Sequence, residues 1–294
     1  MVQQTNNKAY VVGLLKEKKI EIKNSKNGKL MAAGHLIVAI DTPSGKSEIK
    51  VKVMHMALKK DGSENSLFKG MKTVATTYKA SNDTGVENAD TIKIEGSLND
   101  ETYYSMNKND FVNLLQIKAT FINRVDKATP HCCKVAFEGF ISKITPVEKE
   151  LDVEIVGIGY EGVAVPVSGF IPENLISAFQ TRYNVGATTT LNFNIINHVE
   201  TKPVQEEVGF GEDLGEVIET ITTKRMIFGG GAVNYQGITK EQVQKGMAIR
   251  ESNLEKKKEE AIKNSGDNMS AGFGGNSVDV NNTGFANMNF GGSF

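Results

Sequence analysis

Lysines and flat aromatic rings on short β-prone segments are the residues of this sequence with the clearest chemistry. Residues 1–79 contain fifteen lysines against six acidic residues, a net charge of +9. Ammonium groups in a row neutralise phosphates, and flat rings offer surfaces on which nucleobases stack, at about 1–3 kcal/mol for each stack. The pattern predicts a polyanion-binding surface in the N-terminal part of the chain.

The predicted contact residues are lysines on two strands and in two loops, with rings near them. Tyr103, Tyr104 and His55 are the candidates for stacking on bases. Tyr10 and Phe111 could also stack, although an aromatic residue in a strand is more often part of a core. The complete predicted set is Lys16, Lys18, Lys19, Lys23, Lys26, Lys29, Lys46, Lys50, Lys52, His55, Tyr103, Tyr104 and Lys108.

Charge divides the chain into a basic and an acidic part. Residues 1–130 carry a net charge of +6, residues 131–223 carry −9, and residues 224–294 carry +2. A polyanionic ligand is therefore expected on the N-terminal part. The alternative is a lysine-rich surface that only keeps the protein solvated.

Three motifs that resemble enzyme or metal sites fail in their context. Residues 157–162 contain G-x-G-x-x-G, but a strand follows instead of the helix that a dinucleotide phosphate needs. Residues 45–47 end like a P-loop, yet Ile40 stands where that motif has its first glycine. Residues 131–133, His-Cys-Cys, have no second ligand pair at zinc spacing. We therefore predict no enzyme, no metal and no cofactor.

The elements that carry the lysines follow the order of one small barrel. Residues 47–53 alternate between charged and less polar side chains, which is typical of a half-buried strand. Three strands, a helix and two more strands are predicted at 9–23, 29–40, 46–54, 67–78, 91–98 and 114–125. This order in about 120 residues is the plan of the OB-fold, a five-stranded barrel.

Short motifs in this segment resemble the single-stranded DNA-binding (SSB) family of OB domains. Val11-Val12-Gly13-Leu14 matches its glycine-containing first strand, Asn27-Gly28 its first turn, and Ile92-Lys93-Ile94-Glu95-Gly96-Ser97-Leu98 its fourth strand. The resemblance covers residues 9–125 and implies binding of single-stranded DNA. Tryptophan, common in SSB sequences, is absent here. The chain looks more like a bacteriophage member than a bacterial one.

The second half of the chain repeats the plan. Pro172 opens a predicted helix, since proline suits the first helical position. The strands around this helix are predicted at 133–144, 151–160, 162–170, 188–199 and 216–228. The predicted fold is all-β dominated, with tandem OB-fold-like five-stranded barrels, each with one helix between strands 3 and 4, plus a C-terminal helix and a disordered tail.

Four parts are predicted along the chain: 1–130 as a basic OB-fold domain, 131–235 as an acidic second OB-like domain, 236–264 as a helix and 265–294 as a disordered tail. The tail is rich in Gly, Asn and Phe and cannot build a core. SSB tails end in an acidic tip and a phenylalanine that dock partners, whereas this tail keeps Phe294 but no acidic side chain in its last six residues. A docking tail for replication or recombination proteins and a plain solvated linker both stay open.

A cytoplasmic location is expected, in the host if the protein comes from a phage. Among 294 residues there is no run of about 20 apolar residues, as a membrane helix requires. The start lacks the apolar run of a secretory signal. Cys132 and Cys133 are adjacent, a spacing that would strain a disulfide between them.

Two functions from different classes fit the sequence. The first is a non-catalytic, sequence-tolerant protein that binds single-stranded DNA and protects strands in DNA replication or recombination. The alternative is a structural or assembly protein, such as a virion or tail component, that uses tandem β-barrels for protein–protein contacts. A nuclease or helicase subunit is disfavoured, because the sequence has no carboxylate cluster or P-loop for it. The oligomeric state stays open.

Overall fold

The computed structural model describes residues 4–25, 27–42, 45–204, 217–235 and 237–269, and for residues 198–204, 217–224 and 264–269 it describes the backbone alone. Within these ranges the chain forms twelve β-strands and four α-helices. Among the described helices, none has the length and apolar composition to cross a membrane.

Five strands close the first barrel. Its elements follow in the order β1 (Asn7–Asn24), β2 (Leu30–Thr42), β3 (Gly45–Met56), α1 (Ser66–Thr77), α2 (Ser81–Thr84), β4 (Thr91–Asp100), β5 (Tyr103–Ser105), β6 (Asp110–Val112) and β7 (Leu115–Arg124). The first three strands form an antiparallel meander. β7 pairs in parallel with β3 and antiparallel with β4, and β4 pairs back to β1. β5 and β6 form a small hairpin in the connection from β4 to β7.

The second barrel repeats this circuit. Its elements are β8 (Cys132–Val147), β9 (Glu150–Ile158), β10 (Ala164–Ile171), α3 (Ile176–Arg182), β11 (Thr188–Val204) and β12 (Val217–Gly231), followed by α4 (Lys240–Met269). β12 pairs in parallel with β10 and antiparallel with β11, and β11 pairs back to β8. The predicted fold of tandem OB-like barrels, with a helix between the third and fourth strands of each and a C-terminal helix, is confirmed.

Strand alternation builds the core. In β3, Ser47, Ile49, Val51 and Val53 are buried, and the lysines between them face outward. The amide N–H of Leu67 donates to the Asn65 side chain at 3.1 Å, which caps the start of α1. Each fully buried aliphatic side chain contributes about 1.5–3 kcal/mol. One continuous cluster contains buried residues of both barrels.

The N-terminal half of β1 belongs to both barrels. Val11 stands opposite Ile94 of β4 on one side and opposite Cys133 of β8 on the other. The C-terminal half of β1 pairs with β2, and an irregularity at Lys16 interrupts that pairing. A Cβ atom on Gly13 would lie 2.4 Å from the carbonyl oxygen of Ala39, so only glycine fits where β1 and β2 approach each other here.

A second connection joins β11 of the second barrel to β3 of the first. The backbone N–H of Asn197 donates to the Ser47 hydroxyl at 2.6 Å, and its side-chain amide donates to the carbonyl oxygen of Glu48 at 2.6 Å. Asn197 is almost completely buried, with 4% of its surface exposed. Buried hydrogen bonds of this kind are costly to break, because they leave unsatisfied polar groups. This contact and the shared strand β1 both fix the two barrels relative to each other.

Candidate nucleic-acid interface

The outer surface of the first meander gathers most of the predicted lysines. We call it the meander face, and it comprises the outward-facing side chains of residues 16–23 in β1, 31–39 in β2 and 46–56 in β3. Lys19 stands opposite His35, and His35 stands opposite Lys52. Neighbouring strands lie about 4.8 Å apart, so Lys19 and Lys52 are roughly 10 Å apart in one row. Lys50 lies in the next row, beside Ile37.

Glutamates accompany the lysines of the meander face. The ion pairs are Lys16 with Glu48, Lys19 with Glu17 at 3.0 Å, Lys23 with Glu21 at 2.8 Å and Lys52 with Glu101 at 2.7 Å. The set of DNA-contact residues predicted from the sequence contains these lysines but none of the glutamates that pair with them. Partly exposed ion pairs of this kind contribute only about 0–1 kcal/mol. The carboxylates therefore hold the lysines in place. Because each pair is weak, another anion could replace a carboxylate with little loss of free energy.

Lys18 is turned away from the other predicted lysines. Its ammonium group donates to the carbonyl oxygens of Ala75 at 2.8 Å and Tyr78 at 2.7 Å. These carbonyls lie at the C-terminal end of α1, where a cation also meets the negative end of the helix dipole. The structure thus gives Lys18 a structural role in fixing α1 against β1.

The remaining predicted lysines are spread around the meander face. Lys29 is exposed in the loop between β1 and β2, Lys46 is exposed at the start of β3, and Lys108 is exposed at the tip of the β5–β6 hairpin. Lys50 is half-buried near the centre. Lys26 lies outside the described residues. Lys29 and Lys108 thus belong to two loops that border the meander face rather than to the face itself.

Two histidines differ in how they relate to this surface. His55 bonds through Nε2 to the carbonyl oxygen of Ala119 at 2.8 Å, and burial lowers its pKa. His35 was not predicted as a contact, yet it lies in the centre of the meander face, 3.2 Å from the Glu17 carboxylate. Burial and the nearby ammonium group of Lys50 lower the pKa of His35, although the bond to Glu17 acts in the opposite direction. The alternation of Leu36, Val38 and Ile40 as core residues was the signal that could have placed it outside.

The β5–β6 hairpin presents its two tyrosines differently. Tyr103 is 40% exposed. The Tyr104 hydroxyl donates to the Asn109 side chain at 2.6 Å, and its ring packs edge-on against Phe111 with 5.3 Å between centroids. Lys258 of α4 stands 5.6 Å from the centre of the same ring. Tyr103 is therefore the accessible ring of this pair, and Tyr104 is held in place with Phe111.

Helix α4 contacts the residues where the β5–β6 hairpin begins. The sequence patterns did not predict this contact. Arg250 makes an ion pair with Asp100 at 2.6 Å and donates to the Thr102 hydroxyl at 3.3 Å. Lys257 donates to the carbonyl oxygen of Thr102 at 2.7 Å. Val243, near the start of the same helix, packs against the second barrel. The hairpin that borders the meander face is therefore positioned by a helix anchored on the other barrel.

The matching outer surface of the second barrel is acidic. Glu150, Asp152 and Glu154 alternate along β9, facing outward and half-buried. Burial and the neighbouring Glu154 carboxylate raise the pKa of Asp152 above its usual value. Arg225 bonds to Glu150 and lies 4.9 Å from the ring centre of Phe170. The outer strand β9 of the second barrel thus carries carboxylates, whereas the meander face carries lysines. Within the described part of the chain, no cluster of three His, Cys, Asp or Glu residues could hold a metal ion.

Two closed five-stranded circuits, each with a helix between the third and fourth strands, define a protein of the tandem OB-barrel class. The chain belongs to the YorF family, whose model matches residues 5–260. No curated protein matches this sequence.

Solved structures are similar to this chain at low sequence identity. The chain is similar to the wild-type single-stranded DNA binding protein from Thermus aquaticus, with a TM-score of 0.50 and 10% identity over 81% of this chain and 97% of that chain. A deletion mutant of that protein gives a TM-score of 0.49 with 10% identity over 81% and 98%. The p204 HINb domain gives a TM-score of 0.20 with 14% identity over 74% and 98%. The first likeness shows a common fold.

Proposed function

We propose that this protein binds single-stranded DNA without sequence preference and coats exposed strands during DNA replication or recombination. The observation that supports this most strongly is the meander face, where Lys19, His35, Lys50 and Lys52 stand in adjacent rows on an OB barrel. The hairpin beside it exposes the ring of Tyr103. The Thermus aquaticus protein with the same fold is named for binding single-stranded DNA.

The first step of binding is an exchange of anions. In the free protein Glu17, Glu21 and Glu48 hold lysines of the meander face through partly exposed ion pairs. A phosphate that replaces a carboxylate keeps the lysine paired and releases a counterion from the nucleic acid, which favours binding.

The second step is contact with bases. Met31, Ala33 and Ile37 lie among the lysines on the outer side of β2 and are half-buried. Such apolar side chains, together with the Tyr103 ring, offer surface to the flat faces of unpaired bases. In a duplex these faces are covered by neighbouring base pairs. The surface is therefore expected to prefer single strands, and to tolerate any base because every base has a flat face.

Three further predictions from the sequence belong to this proposal. The protein acts by binding and carries out no reaction. Its tail, residues 265–294, docks replication or recombination proteins. Its origin is a bacteriophage, which places it in the host cytoplasm. Beyond Met269 the tail lies outside the described residues.

The direct test is fluorescence anisotropy of labelled dT, dA and duplex oligonucleotides with the full-length protein at several salt concentrations. We expect tight binding of dT and dA at low salt, a steep loss of affinity with added salt, and much weaker binding of the duplex. Equal affinity for the duplex would contradict the proposal. Free passage through oligo-dT resin at moderate salt would favour the structural or assembly protein instead.

A further inference from the structure

The outer surface where the two barrels meet carries a second set of rings and cations. We call it the junction face. It is built around the N-terminal half of β1, which lies between β8 and β4. Cross-strand pairing places Lys134, Tyr10, Glu95 and Phe121 in one row across β8, β1, β4 and β7. The row crosses from the second barrel into the first.

Two aromatic rings in this row are open to solvent. Tyr10 is 39% exposed and Phe121 is 52% exposed. Phe121 faces outward because an irregularity in the pairing of β7 with β4 shifts the alternation, so that Ala119 and Ile122 are buried on either side of it. Two strand spacings, about 10 Å in total, separate the backbones that carry the rings. Exposed rings on a sheet are the kind of platform on which unpaired bases stack.

Cations flank the rings. The Lys93 ammonium group lies 5.9 Å from the ring centre of Tyr10 and 2.9 Å from the Glu95 carboxylate. Lys134 is exposed beside Tyr10, and Lys8 is exposed two residues before Tyr10 on the same side of β1. Three ammonium groups therefore lie around Tyr10, and the row that contains both rings holds one carboxylate, Glu95. The charge of this surface suits a polyanion.

Basic residues also connect the junction face with the meander face around the first barrel. Lys52 of β3 stands beside Lys118 of β7. Lys118 stands opposite Ser97 of β4, and Lys8 follows on the next strand, because its neighbour Ala9 pairs with Gly96. A nucleic-acid strand that leaves the meander face at Lys52 meets cations along the way to Tyr10.

We propose that the junction face is a second contact segment for the same DNA strand, with bases on Tyr10 and Phe121 and phosphates on Lys8, Lys93 and Lys134. This inference rests on the proposed function and extends it from one surface to a path across both barrels. A protein partner fits less well, because the rings are separate and alternate with charges instead of forming one apolar patch.

The test compares two lengths of labelled oligo-dT on the full-length protein. One is roughly 8 nucleotides, short enough for a single barrel, and the other is about four times as long. Tyr10→Ala with Phe121→Ala should weaken binding of the long strand roughly tenfold or more, because two stacking platforms are lost. Binding of the short strand should change less than about twofold, since it uses the meander face. Tyr10→Phe with Phe121→Tyr keeps both rings and should bind both lengths like the unaltered protein.

The outcomes separate this inference from the proposed function. If the unaltered protein binds neither length, the proposed function fails and the inference fails with it. If the unaltered protein binds both and the double alanine variant binds the long strand equally well, the inference is wrong and the proposed function stands. Equal loss on both lengths, with thermal unfolding unchanged, would also overturn it, because the junction face would then not be a separate segment.

Discussion

Arg250 on α4 and Asp100 at the end of β4 form an ion pair in which both side chains are largely buried, with 16% and 14% of their surfaces exposed and 2.6 Å between Nε and Oδ2. The helix that carries Arg250 starts on the second barrel, and Asp100 leads into the β5–β6 hairpin of the first. The pair therefore couples the position of the hairpin to the second barrel.

Replacing Arg250 by Met should lower the free energy of unfolding by about 3 kcal/mol, because the buried Asp100 carboxylate loses its partner. Asp100→Asn in the same chain should recover part of the loss, since the uncompensated charge is gone. Urea unfolding of both variants measures this. Arg182→Met, at the end of α3, serves as the control for loss of an arginine that is exposed. If the single and double variants are equally unstable, Arg250 acts by packing alone.

Reversing two central charges of the meander face should reduce the salt dependence of binding. With Lys50→Glu and Lys52→Glu, the slope of log affinity against log salt should flatten by about 1 to 1.5, because each phosphate contact on a single strand accounts for about 0.7. Anisotropy titrations with oligo-dT give the slope. Lys72→Glu with Lys149→Glu changes the net charge equally at exposed sites away from this face. If the slope of log affinity against log salt changes equally in both double variants, β3 is not part of the binding surface.

Binding should strengthen as the solution becomes more acidic. Burial and Lys50 keep the pKa of His35 below its usual value, so this ring is neutral in the free protein at neutral pH. A phosphate beside it offsets the repulsion from Lys50 and raises the pKa, so the complex takes up a proton as pH falls. Affinity for dT should rise between about pH 7.5 and about pH 5.5. His35→Gln should bind with a flatter pH profile, and an unchanged profile would exclude His35 from the interface.

Stability should change with pH in the opposite direction. The pKa values of His35 and His55 are both lowered in the folded protein. Below their usual pKa of about 6.5, the unfolded chain therefore binds more protons than the folded chain, and the free energy of unfolding falls as pH falls. His55→Gln should make this fall shallower, as measured by urea unfolding at several pH values. If the free energy of unfolding of His55→Gln falls as steeply with decreasing pH as that of the unaltered protein, carboxylates cause the fall instead.

Removing residues 270–294 should leave affinity for a short oligonucleotide nearly unchanged. This segment follows the last described residue of α4, Met269, and contains one acidic residue, Asp279, but no lysine or arginine that would contact phosphate. Cooperative coating of long strands, or capture of a partner protein, should be lost instead, because isolated phenylalanines such as Phe290 and Phe294 suit weak repeated docking. Gel-shift titrations on long and short strands separate the two effects. If binding of the short strand disappears, the tail is part of the DNA site.

The fold was predictable because the alternation in β3 and the helical spacing around Met71 and Val74 agree with the tertiary structure. Alternation fails where a strand is irregular. Counting by twos from the buried Ile117 and Ala119 would place Phe121 in the core, and only the pairing with β4 shows that it is exposed. A local pattern contains no information on such a shift, because the partner strand causes it.

The sequence predicted which residue types form the candidate site, but not which way each side chain points or what it contacts. The sequence does not distinguish the lysines of β1 from one another. In the structure, however, Lys18 bonds to the end of α1, whereas Lys19 faces outward beside His35. The contact of Arg250 with Asp100 joins residues 150 positions apart, which no spacing rule reaches. Long-range contacts of this kind follow from how the barrels pack and are visible only in the folded chain.

Strand β1 is part of both barrels, so the two barrels cannot unfold independently of each other. Val11 and Val12 pair with β4 and β8 at once, so neither barrel can open here without exposing the edge of the other. The whole molecule should therefore melt in one cooperative transition, where two barrels on a linker would melt in two. Proteolytic loss of the first dozen residues would open both sheets together and leave unpaired edges that promote aggregation. A variant that lacks either barrel should therefore be unstable, because the remaining barrel would keep an unpaired edge along β1.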